Sequence, residues 1–335
     1  MRSAFLRDGQ LVVDDIDEPR PQFGQVLVRV LACGVCGSDL HFVKHGRRMA
    51  ELGREANLPD IGGGEIDFDR PVYMGHEFCC EILEYGPETV GPAPGTAVVS
   101  MPALLSMSGV SQLAYTNDYP AGYSEMMLLS APLLLDVPNG LDPKLAALTE
   151  PMAVGVHAVN KSGIAPGQAA LVLGCGPVGL ACIAALRRHG VETIVAADFS
   201  ATRRSLATTM GATEVVDPAA EPAIEAWRRV DGRRSLVIFE AVGVPGMLNA
   251  AMRDAPVGSR VLVVGVCMEA DTVQPFFGIA KELEVRFALG YDPMEFAGSL
   301  RSIAEGEFDV APLIFRKLRR QLSAIPPHIG FAAPA

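Results

Sequence analysis

Three short polar stretches carry side chains that bind metals. Cys36 lies among glycines, His76 follows Gly75, and Glu150 precedes a proline. A thiolate, an imidazole and a carboxylate are all accepted zinc donors, and a catalytic zinc site uses three protein ligands with the fourth position open. An inert thiol prefers the core, so a cysteine in a polar loop favours metal binding. These residues predict one catalytic zinc ion.

A glycine-rich turn indicates a second kind of chemistry. The stretch Gly174-Cys-Gly-Pro-Val-Gly179 follows an apolar run and opens a predicted helix. In that context the glycines allow a tight turn and close approach of a pyrophosphate to the helix N-terminus. Asp198 ends the next predicted strand, about 20 residues on, where an acid binds the ribose hydroxyls of NAD and repels a 2′-phosphate. The alternative for Asp198 is a plain helix cap, and Arg203 would soften the preference for NAD.

Composition limits the partners of the chain. Of 335 residues, 49% are hydrophobic and 20% charged, and the formal net charge is −11. Such an acidic chain does not favour nucleic acid, and no apolar run is long enough for a membrane span. The N-terminus does not resemble a signal peptide, and seven cysteines form no disulfide framework. We expect a cytoplasmic protein with a small-molecule substrate.

The elements that must position these residues change character near residue 150. Before it, β-branched runs separated by Gly and Pro predict a β-rich domain. After it, apolar strands alternate with helix-length segments, which predicts a doubly wound parallel sheet of the Rossmann type. Residues 44–72 are expected to form a long loop with at most a short helix. A basic cluster at 316–320 is expected to be a solvated terminal segment.

The motifs together resemble the medium-chain dehydrogenase/reductase superfamily, specifically its alcohol and polyol dehydrogenases. The resemblance covers residues 1 to about 314. It rests on four motifs in order, which are Cys-Gly-x-Cys-Gly-Ser-Asp-x-His at 33–41, Gly-His-Glu at 75–77, Glu-Pro at 150–151 and Gly-x-Gly-x-x-Gly at 174–179. The segments 239–243 and 263–265 are similar to later Rossmann strands of that family.

The resemblance implies an α/β protein of two domains. A GroES-like, β-rich catalytic domain would comprise residues 1–152 and 292–335, and a Rossmann domain that binds NAD would comprise 153–291. It implies that Cys36 and His76 bind zinc, with Glu150 as the third ligand and Glu77 as its competitor. The residues that it implies for cofactor binding are Gly174, Gly176, Pro177, Val178, Gly179, Asp198, Arg203, Val242 and Val264.

Further roles follow from the same resemblance. Asp39 is similar to a carboxylate that orients the metal-bound imidazole of His76. Ser38 and His41 resemble a relay that carries the alcohol proton to solvent, with Ser38 passing it through the cofactor ribose. Members of the family form dimers or tetramers, so we expect a homodimer or homotetramer.

Two departures from the family pattern matter. Many relatives bind a second, structural zinc through a lobe of four closely spaced cysteines, but residues 91–135 contain no cysteine. We therefore expect no structural zinc, and a loop held by packing in that region. The tail at 315–335 also does not match the helix and strand with which relatives usually end.

The expected function is zinc-dependent transfer of a hydride between an alcohol and NAD, with secondary alcohols or polyols favoured. One alternative is a zinc-independent enone or quinone reductase of the same superfamily, which would lack the cysteine and histidine ligands. Another is a non-catalytic protein that binds NAD as a sensor. Zinc content and turnover of an alcohol distinguish these three hypotheses.

Overall fold

The computed structural model describes residues 1–57, 66–107, 109–315 and 331–332. These residues form two compact units. The first comprises Met1–Glu150 with the strand Ile314–Phe315, and the second comprises Pro151–Leu313. None of the described helices is long and apolar enough to cross a membrane.

The first unit is rich in β-strands, as predicted. Its elements are β1 Arg2–Arg7, β2 Gln10–Asp15, β3 Gln25–Cys33, α1 Gly37–Glu55, β4 Val72–Tyr73, β5 Phe78–Tyr85, β6 Ala97–Val99, β7 Ala103–Ser106, β8 Gly109–Gln112, β9 Met126–Ser130, β10 Leu135–Asp136 and α2 Pro143–Ala146. They form a sheet of order β2-β1-β4, a sheet of order β10-β6-β5-β3-β9 and the hairpin β7-β8, all with antiparallel pairs.

Strand β3 shows why this sequence builds the larger sheet. Val26, Val28 and Val30 are buried at alternating positions, as expected of a strand with one face on the core. The strand lies between β5 and β9, so both of its edges are hydrogen-bonded. Its carboxyl end leads directly into Cys36 and helix α1, and the core of this unit therefore fixes the start of the predicted metal site.

The expectation of a long loop over residues 44–72 is wrong for its first part, because α1 continues to Glu55. Asp39 accepts a hydrogen bond from the Cys36 backbone N–H at 2.9 Å, which stabilises the start of the helix. Phe42 is buried, and the Arg48 guanidinium binds Glu51 and Glu55 on the outer surface. The segment lacks proline until residue 59, so nothing in it interrupts the helix.

The region expected to be a loop without cysteines also contains regular structure. The hairpin of β7 and β8 lies there, together with β6, part of the larger sheet, and β9. The Ser130 hydroxyl accepts a hydrogen bond from the Leu105 backbone N–H at 2.7 Å and links the hairpin to β9. Strand pairing and this buried hydroxyl hold the described part of the region.

The second unit is the predicted doubly wound domain. The helix α3 Thr149–Ser162 leads into it across the division between the units. Its further elements are β11 Ala169–Leu173, α4 Pro177–Arg188, β12 Thr193–Ala197, α5 Ala201–Met210, β13 Glu214–Val216, α6 Ala223–Val230, β14 Leu236–Glu240, α7 Met247–Asp254, β15 Arg260–Val263, α8 Pro275–Lys281, β16 Glu284–Phe287 and α9 Pro293–Ala304. The strand order is β13-β12-β11-β14-β15-β16 with every pair parallel. Strand order therefore reverses between β11 and β14, which is where such sheets bind dinucleotides.

The two compact units differ from the predicted domains in the assignment of residues 292–313. We expected these residues to return to the first domain, but they belong to the second unit. Glu295 explains the difference, since its carboxylate lies 2.8 Å from His157 Nδ1 and accepts a 2.8 Å hydrogen bond from Asn160 Nδ2. These bonds hold the start of α9 against α3.

The chain end is only partly described. The strand β17 Ile314–Phe315 pairs antiparallel with β18 Phe331–Ala332. The basic cluster at 316–320 lies outside the described residues.

Candidate active site

The residues predicted to bind zinc lie at the end of one strand and before the start of another. Cys36 stands between β3 and α1, and His76 and Glu77 precede β5. The Gly34 N–H donates a 2.7 Å hydrogen bond to the Glu77 carbonyl and ties the two segments together. As a result, Cys36 Sγ, a ring nitrogen of His76 and a carboxylate oxygen of Glu77 all lie within 4.8 Å of one another.

Two glycines make this close approach sterically feasible. A Cβ atom at Gly34 would lie 1.9 Å from Glu77 Oε2. At Gly75 the backbone has a φ of +93°, and a Cβ atom there would lie 2.6 Å from the Tyr123 ring. Only glycine fits both positions, so the backbone around His76 and Glu77 is shaped for this cluster.

Two side chains of the cluster, Glu77 and His76, carry buried polar atoms that have no hydrogen-bond partner within the described chain. Glu77 is 1% exposed, yet neither of its carboxylate oxygens has a hydrogen-bond partner. The Nδ1 atom of His76 is also buried without a hydrogen bond. Leaving a buried charged group unpaired is costly, and a bound divalent cation removes that cost. The residues present therefore fit a zinc ion, whose usual donors are thiolate, imidazole and carboxylate.

The electrostatics of the cluster indicate the same cation. Burial, followed by the negative charges of Glu150 and Asp39, raises the pKa of the Cys36 thiol to about 11. Burial, with the charges of Cys36 and Glu150, raises the pKa of the Glu77 carboxyl well above its usual value. Burial lowers the pKa of His76, but the three nearby carboxylates outweigh it and raise the pKa overall. Without a cation these shifts favour the protonated forms of Cys36 and Glu77, and a cation bound beside them would favour their anionic forms.

Glu150 contributes charge to the site from a greater distance. It is the second residue of α3 and is 9% exposed. It does not belong to the group of donor atoms within 4.8 Å, which among the described residues comprises Cys36, His76 and Glu77. Its charge nevertheless raises the pKa values of all three. The structure therefore brings Glu77, rather than Glu150, closest to the other two predicted ligands.

Asp39 lies beside His76, as predicted, but at 3.7 Å from its Nδ1 atom, which is too long for a hydrogen bond. Its Oδ2 atom accepts hydrogen bonds from the Cys36 backbone N–H at 2.9 Å and the Tyr123 hydroxyl at 2.7 Å. The Tyr115 hydroxyl contacts its Oδ1 atom at 3.0 Å. Sequence reasoning missed both tyrosines, because no motif or spacing links them to the metal-binding stretches.

The predicted relay residues both lie on the first turns of α1. Ser38 is partly buried, and its hydroxyl oxygen lies 2.9 Å from the Tyr115 hydroxyl. His41 follows one turn later, with its pKa lowered by burial and by the nearby His45 and Lys44. A histidine held in its neutral form can accept a proton.

The glycine-rich turn has the geometry that a pyrophosphate needs. Gly174 has a φ of +91°, and a Cβ atom at Gly179 would lie 2.0 Å from the Gly174 carbonyl oxygen. At Gly176, the N-cap of α4, a Cβ atom would meet nothing within 4 Å, so the space before the helix is open. Pro177 and Val178 form the first turn of α4, whose free N–H groups can bind an anion. These residues fit a dinucleotide.

Asp198 is held beside this turn rather than pointing away from it. It is 8% exposed, and its two carboxylate oxygens accept hydrogen bonds from the backbone N–H groups of Cys175 at 2.9 Å and Ser200 at 2.8 Å. Arg203 Nη1 lies 3.6 Å from Asp198 Oδ2, whereas Arg204 pairs with Asp217 at 3.1 Å. Asp198 therefore holds the glycine-rich turn and the segment before α5, whose N-cap is Ser200 rather than Asp198.

Val242 and Val264 lie at the same carboxyl edge of the sheet, after β14 and β15. Both backbone N–H groups bind Glu240, Val242 through the Oε1 atom at 2.8 Å and Val264 through the carbonyl at 2.9 Å. Glu240 is buried, and it also accepts a hydrogen bond from the Gly243 N–H. The Glu240 carboxylate therefore holds the loop after β14, and its backbone carbonyl holds the loop after β15, a role that the sequence alone did not reveal.

Removing the metal should make stability fall as the pH rises. Glu77 ionises near pH 4.3 in an unfolded chain, about its reference value. In the folded metal-free chain its pKa is raised by burial and neighbouring charge. Its contribution to stability is therefore fully present below the unfolded pKa and is lost as the pH rises through the folded pKa. We expect the metal-free protein to unfold at a lower temperature at neutral pH than at mildly acidic pH.

Thermal unfolding of the metal-free protein across this pH range measures the effect. Glu77→Gln should remove most of the pH dependence, whereas Glu81→Gln should keep it, because Glu81 pairs with Arg29 on the surface. The same pH dependence in Glu77→Gln and in the unsubstituted chain would contradict the explanation.

Comparisons with known proteins identify the family of the chain. Residues 177–305 match the family described as zinc-binding dehydrogenase, and residues 22–139 match the alcohol dehydrogenase GroES-like domain. The chain is 31% identical over 318 residues to (R,R)-butanediol dehydrogenase of Bacillus subtilis, covering 91% of this chain and 88% of the relative. It is 30% identical over 315 residues to L-galactonate-5-dehydrogenase of Escherichia coli, covering 89% and 85%.

Solved structures extend the comparison to the fold. The crystal structure of 2R,3R-butanediol dehydrogenase from Bacillus subtilis superposes with a TM-score of 0.80 at 27% identity, covering 99% of each chain. A zinc-binding dehydrogenase from Sinorhizobium meliloti bound to NADP gives a TM-score of 0.79 at 25% identity, covering 99% of this chain and 98% of that one. With its metal-binding cluster, its glycine-rich turn and these relatives, the chain belongs to the zinc-dependent alcohol and polyol dehydrogenase family of the medium-chain dehydrogenase/reductase superfamily.

Proposed function

We propose that this chain oxidises a secondary alcohol or polyol to the corresponding ketone, reversibly, with one zinc ion and NAD. The observation that carries the proposal is the cluster of Cys36, His76 and Glu77, in which the Glu77 carboxylate is buried and has no hydrogen-bond partner among the described residues. The relatives named as dehydrogenases of butanediol, sorbitol and galactonate support this substrate class.

Cys36, His76 and Glu77 would hold the zinc ion, with Glu150 adding negative charge nearby. Bound there, the ion acts as a Lewis acid that lowers the pKa of the substrate hydroxyl. Two anionic ligands would balance its two positive charges. Asp39 would keep the His76 ring in place from 3.7 Å. A single ion is proposed, since residues 91–135 lack the cysteines of a structural site.

Ser38 and His41 would handle the proton released by the alcohol. The Ser38 hydroxyl lies 2.9 Å from the Tyr115 hydroxyl. A lone pair of the Ser38 oxygen that this contact does not use can accept the substrate proton. His41, neutral at physiological pH because its pKa is lowered, would pass the proton towards water. A cofactor bound at the glycine-rich turn would supply the nicotinamide that accepts the hydride from the carbinol carbon.

A substrate screen tests the proposal. The zinc-loaded chain is offered primary alcohols, secondary alcohols and polyols with NAD, and NADH absorbance is followed. We expect turnover of secondary alcohols or polyols that stops when zinc is removed. Reduction of enones or quinones by the metal-free chain, without oxidation of any alcohol, would overturn the proposal, as would NAD binding with no turnover of any substrate.

We propose NAD as the cofactor because Asp198 lies buried beside the glycine-rich turn, where its charge would repel a 2′-phosphate. The Sinorhizobium meliloti relative crystallised with NADP makes this a point to test. Asp198→Ala should raise KM for NAD by about 10-fold, equivalent to about 1.4 kcal/mol, and narrow the ratio of activity with NAD to activity with NADP.

Asp231→Ala is the matched control. Asp231 accepts a hydrogen bond from Thr193, the first residue of β12. Asp198 follows the last residue of β12, so Asp231 lies at the other end of that strand from the glycine-rich turn. Its replacement should leave the cofactor ratio unchanged. Steady-state kinetics with NAD and with NADP measure the ratio of the two activities. An unaltered ratio in Asp198→Ala would count against Asp198 as the residue that selects NAD.

A further inference from the structure

Tyr115 joins two residues that the proposed reaction uses separately. Its hydroxyl oxygen lies 2.9 Å from Ser38 Oγ and 3.0 Å from Asp39 Oδ1. A phenol has one hydrogen to donate, and a carboxylate can only accept. When Tyr115 donates to Asp39, the hydrogen in its 2.9 Å contact with Ser38 comes from the Ser38 hydroxyl, which also lies within hydrogen-bond reach of the Cys36 thiol. This arrangement directs the hydrogen of Ser38 inwards and leaves a lone pair of Ser38 free.

The backbone at Tyr115 is in a sterically strained conformation. Tyr115 has a φ of +55°, in the left-handed region that non-glycine residues rarely occupy, and Ala114 before it has a φ of +153°. The Tyr115 N–H donates a 2.7 Å hydrogen bond to the Tyr73 carbonyl, and Thr116 accepts a 2.8 Å hydrogen bond from the Tyr73 N–H. Strain of this kind persists where surrounding bonds enforce it and is concentrated at functional sites.

The ring of Tyr115 is fixed by aromatic neighbours. It stacks on Phe42 of α1 with ring centroids 4.4 Å apart, and it lies 5.8 Å from the His76 ring. The side chain is buried among groups that include Asp39 and Cys36, and burial is the main cause that raises the pKa of its hydroxyl well above its usual value. The hydroxyl therefore stays protonated and keeps its place between Ser38 and Asp39.

Asp39 depends on Tyr115 for one of its two oxygens. The other oxygen, Oδ2, is already bound by the Tyr123 hydroxyl at 2.7 Å and the Cys36 N–H at 2.9 Å. The Oδ1 atom faces His76 Nδ1 at 3.7 Å and is contacted by Tyr115. The orientation of this oxygen towards His76 is thus set from the Tyr115 side.

We propose that Tyr115 is a positioning residue of the dehydrogenase reaction. Its hydroxyl orients Ser38 to accept the alcohol proton and simultaneously holds the Asp39 oxygen that faces His76. The inference rests on the proposed function, because Ser38 matters as a proton acceptor only if the chain oxidises alcohols. A purely structural role is the alternative, in which the ring fills space between Phe42 and His76 and the hydroxyl is incidental.

Tyr115→Phe separates the two roles, because it keeps the ring on Phe42 and removes only the hydroxyl. In the zinc-loaded variant we expect kcat to fall by about 10- to 100-fold, the range seen when a group behind a metal ligand is lost. KM for NAD should not change. Zinc affinity, measured by competition with a chelator and without substrate, should also fall, since His76 loses part of its support.

Tyr85→Phe is the matched control. It removes a tyrosine hydroxyl that donates a 2.8 Å hydrogen bond to the Pro92 carbonyl, away from the metal cluster. This variant should keep the kcat and zinc affinity of the unsubstituted chain. Thermal unfolding of all variants checks that a loss of kcat does not follow a loss of folded protein.

A double-mutant cycle with Ser38→Ala gives a readout that a structural role would not change. If Tyr115 acts through Ser38, adding Tyr115→Phe to Ser38→Ala should lower kcat much less than Tyr115→Phe does alone. Additive losses, or an unchanged kcat and zinc affinity in Tyr115→Phe, would overturn the inference. If instead the unsubstituted zinc-loaded chain oxidises no alcohol, it is the proposed function that fails.

Discussion

Replacing Cys36 with serine should abolish both zinc binding and alcohol oxidation while NAD binding stays near normal. The Cys36 thiol is partly buried and lies within 4.8 Å of donor atoms on His76 and Glu77. A thiolate supplies negative charge to zinc, and a serine hydroxyl in the same place remains neutral and binds the ion poorly. The loss of turnover should exceed the about 100-fold that follows removal of a group behind a metal ligand.

NAD binding provides the internal reference for this variant, because the glycine-rich turn belongs to the second unit, which has its own core. Cys267→Ser is the matched control, since Cys267 is a partly exposed thiol outside the metal cluster. Metal analysis, cofactor titration and turnover are measured on both variants. If Cys36→Ser keeps a full complement of zinc and normal turnover, Cys36 is not a zinc ligand.

Glu77→Gln should weaken zinc binding more than Glu150→Gln does. Both Glu77 oxygens are buried and unpaired beside Cys36 and His76, whereas Glu150 lies outside that close group. Glu77→Gln removes a charged ligand, so the loss of affinity should exceed about 100-fold. Glu150→Gln removes only a nearby negative charge, and we expect a loss of about 10- to 100-fold, typical of groups that support a ligand.

The metal-free forms of these variants add a second test. Glutamine at position 77 avoids burying a carboxylate with unpaired oxygens, so metal-free Glu77→Gln should be more stable than the metal-free unsubstituted chain at neutral pH. Chelator competition gives the zinc affinities, and thermal unfolding gives the stabilities. The reverse order of affinities, with Glu150→Gln the more damaging, would make Glu150 the third ligand.

The sequence was most informative where function constrains short motifs. The residue types and context of Cys36 and His76 predicted a shared site, and the structure brings their donor atoms together. The alternation of strands and helices after residue 150 predicted the parallel sheet, which is confirmed. In these cases local pattern and tertiary structure agree, because buried parallel strands and phosphate-binding turns leave a local signature.

Contacts between distant segments could not be predicted. Tyr115 lies 77 residues from Ser38, and Tyr123 lies 84 residues from Asp39. No periodicity or spacing connects such positions. Backbone hydrogen bonds bring them to the site, between Tyr73 and Tyr115 and between Met74 and Tyr123. The choice between Glu77 and Glu150 also depended on geometry, since both acids are acceptable donors by residue type.

The expectation of a loop after residue 44 was wrong, and the two compact units divide the chain differently from the predicted domains. Glycine and arginine residues after residue 44 suggested a loop, but the cap at Asp39 and the buried Phe42 favour a helix through Glu55. Residues 292–313 were assigned to the first domain by resemblance alone. The bonds of Glu295 to His157 and Asn160 place them in the second unit.

The most direct test of the central claim is the zinc dependence of turnover in one preparation. The purified chain is analysed for metal, stripped with a chelator and reloaded with increasing zinc, while NAD reduction by a secondary alcohol or polyol is followed. We predict about one zinc per chain at saturation, and activity that is lost on stripping and returns in proportion to bound zinc. Full turnover by the metal-free chain would contradict the account.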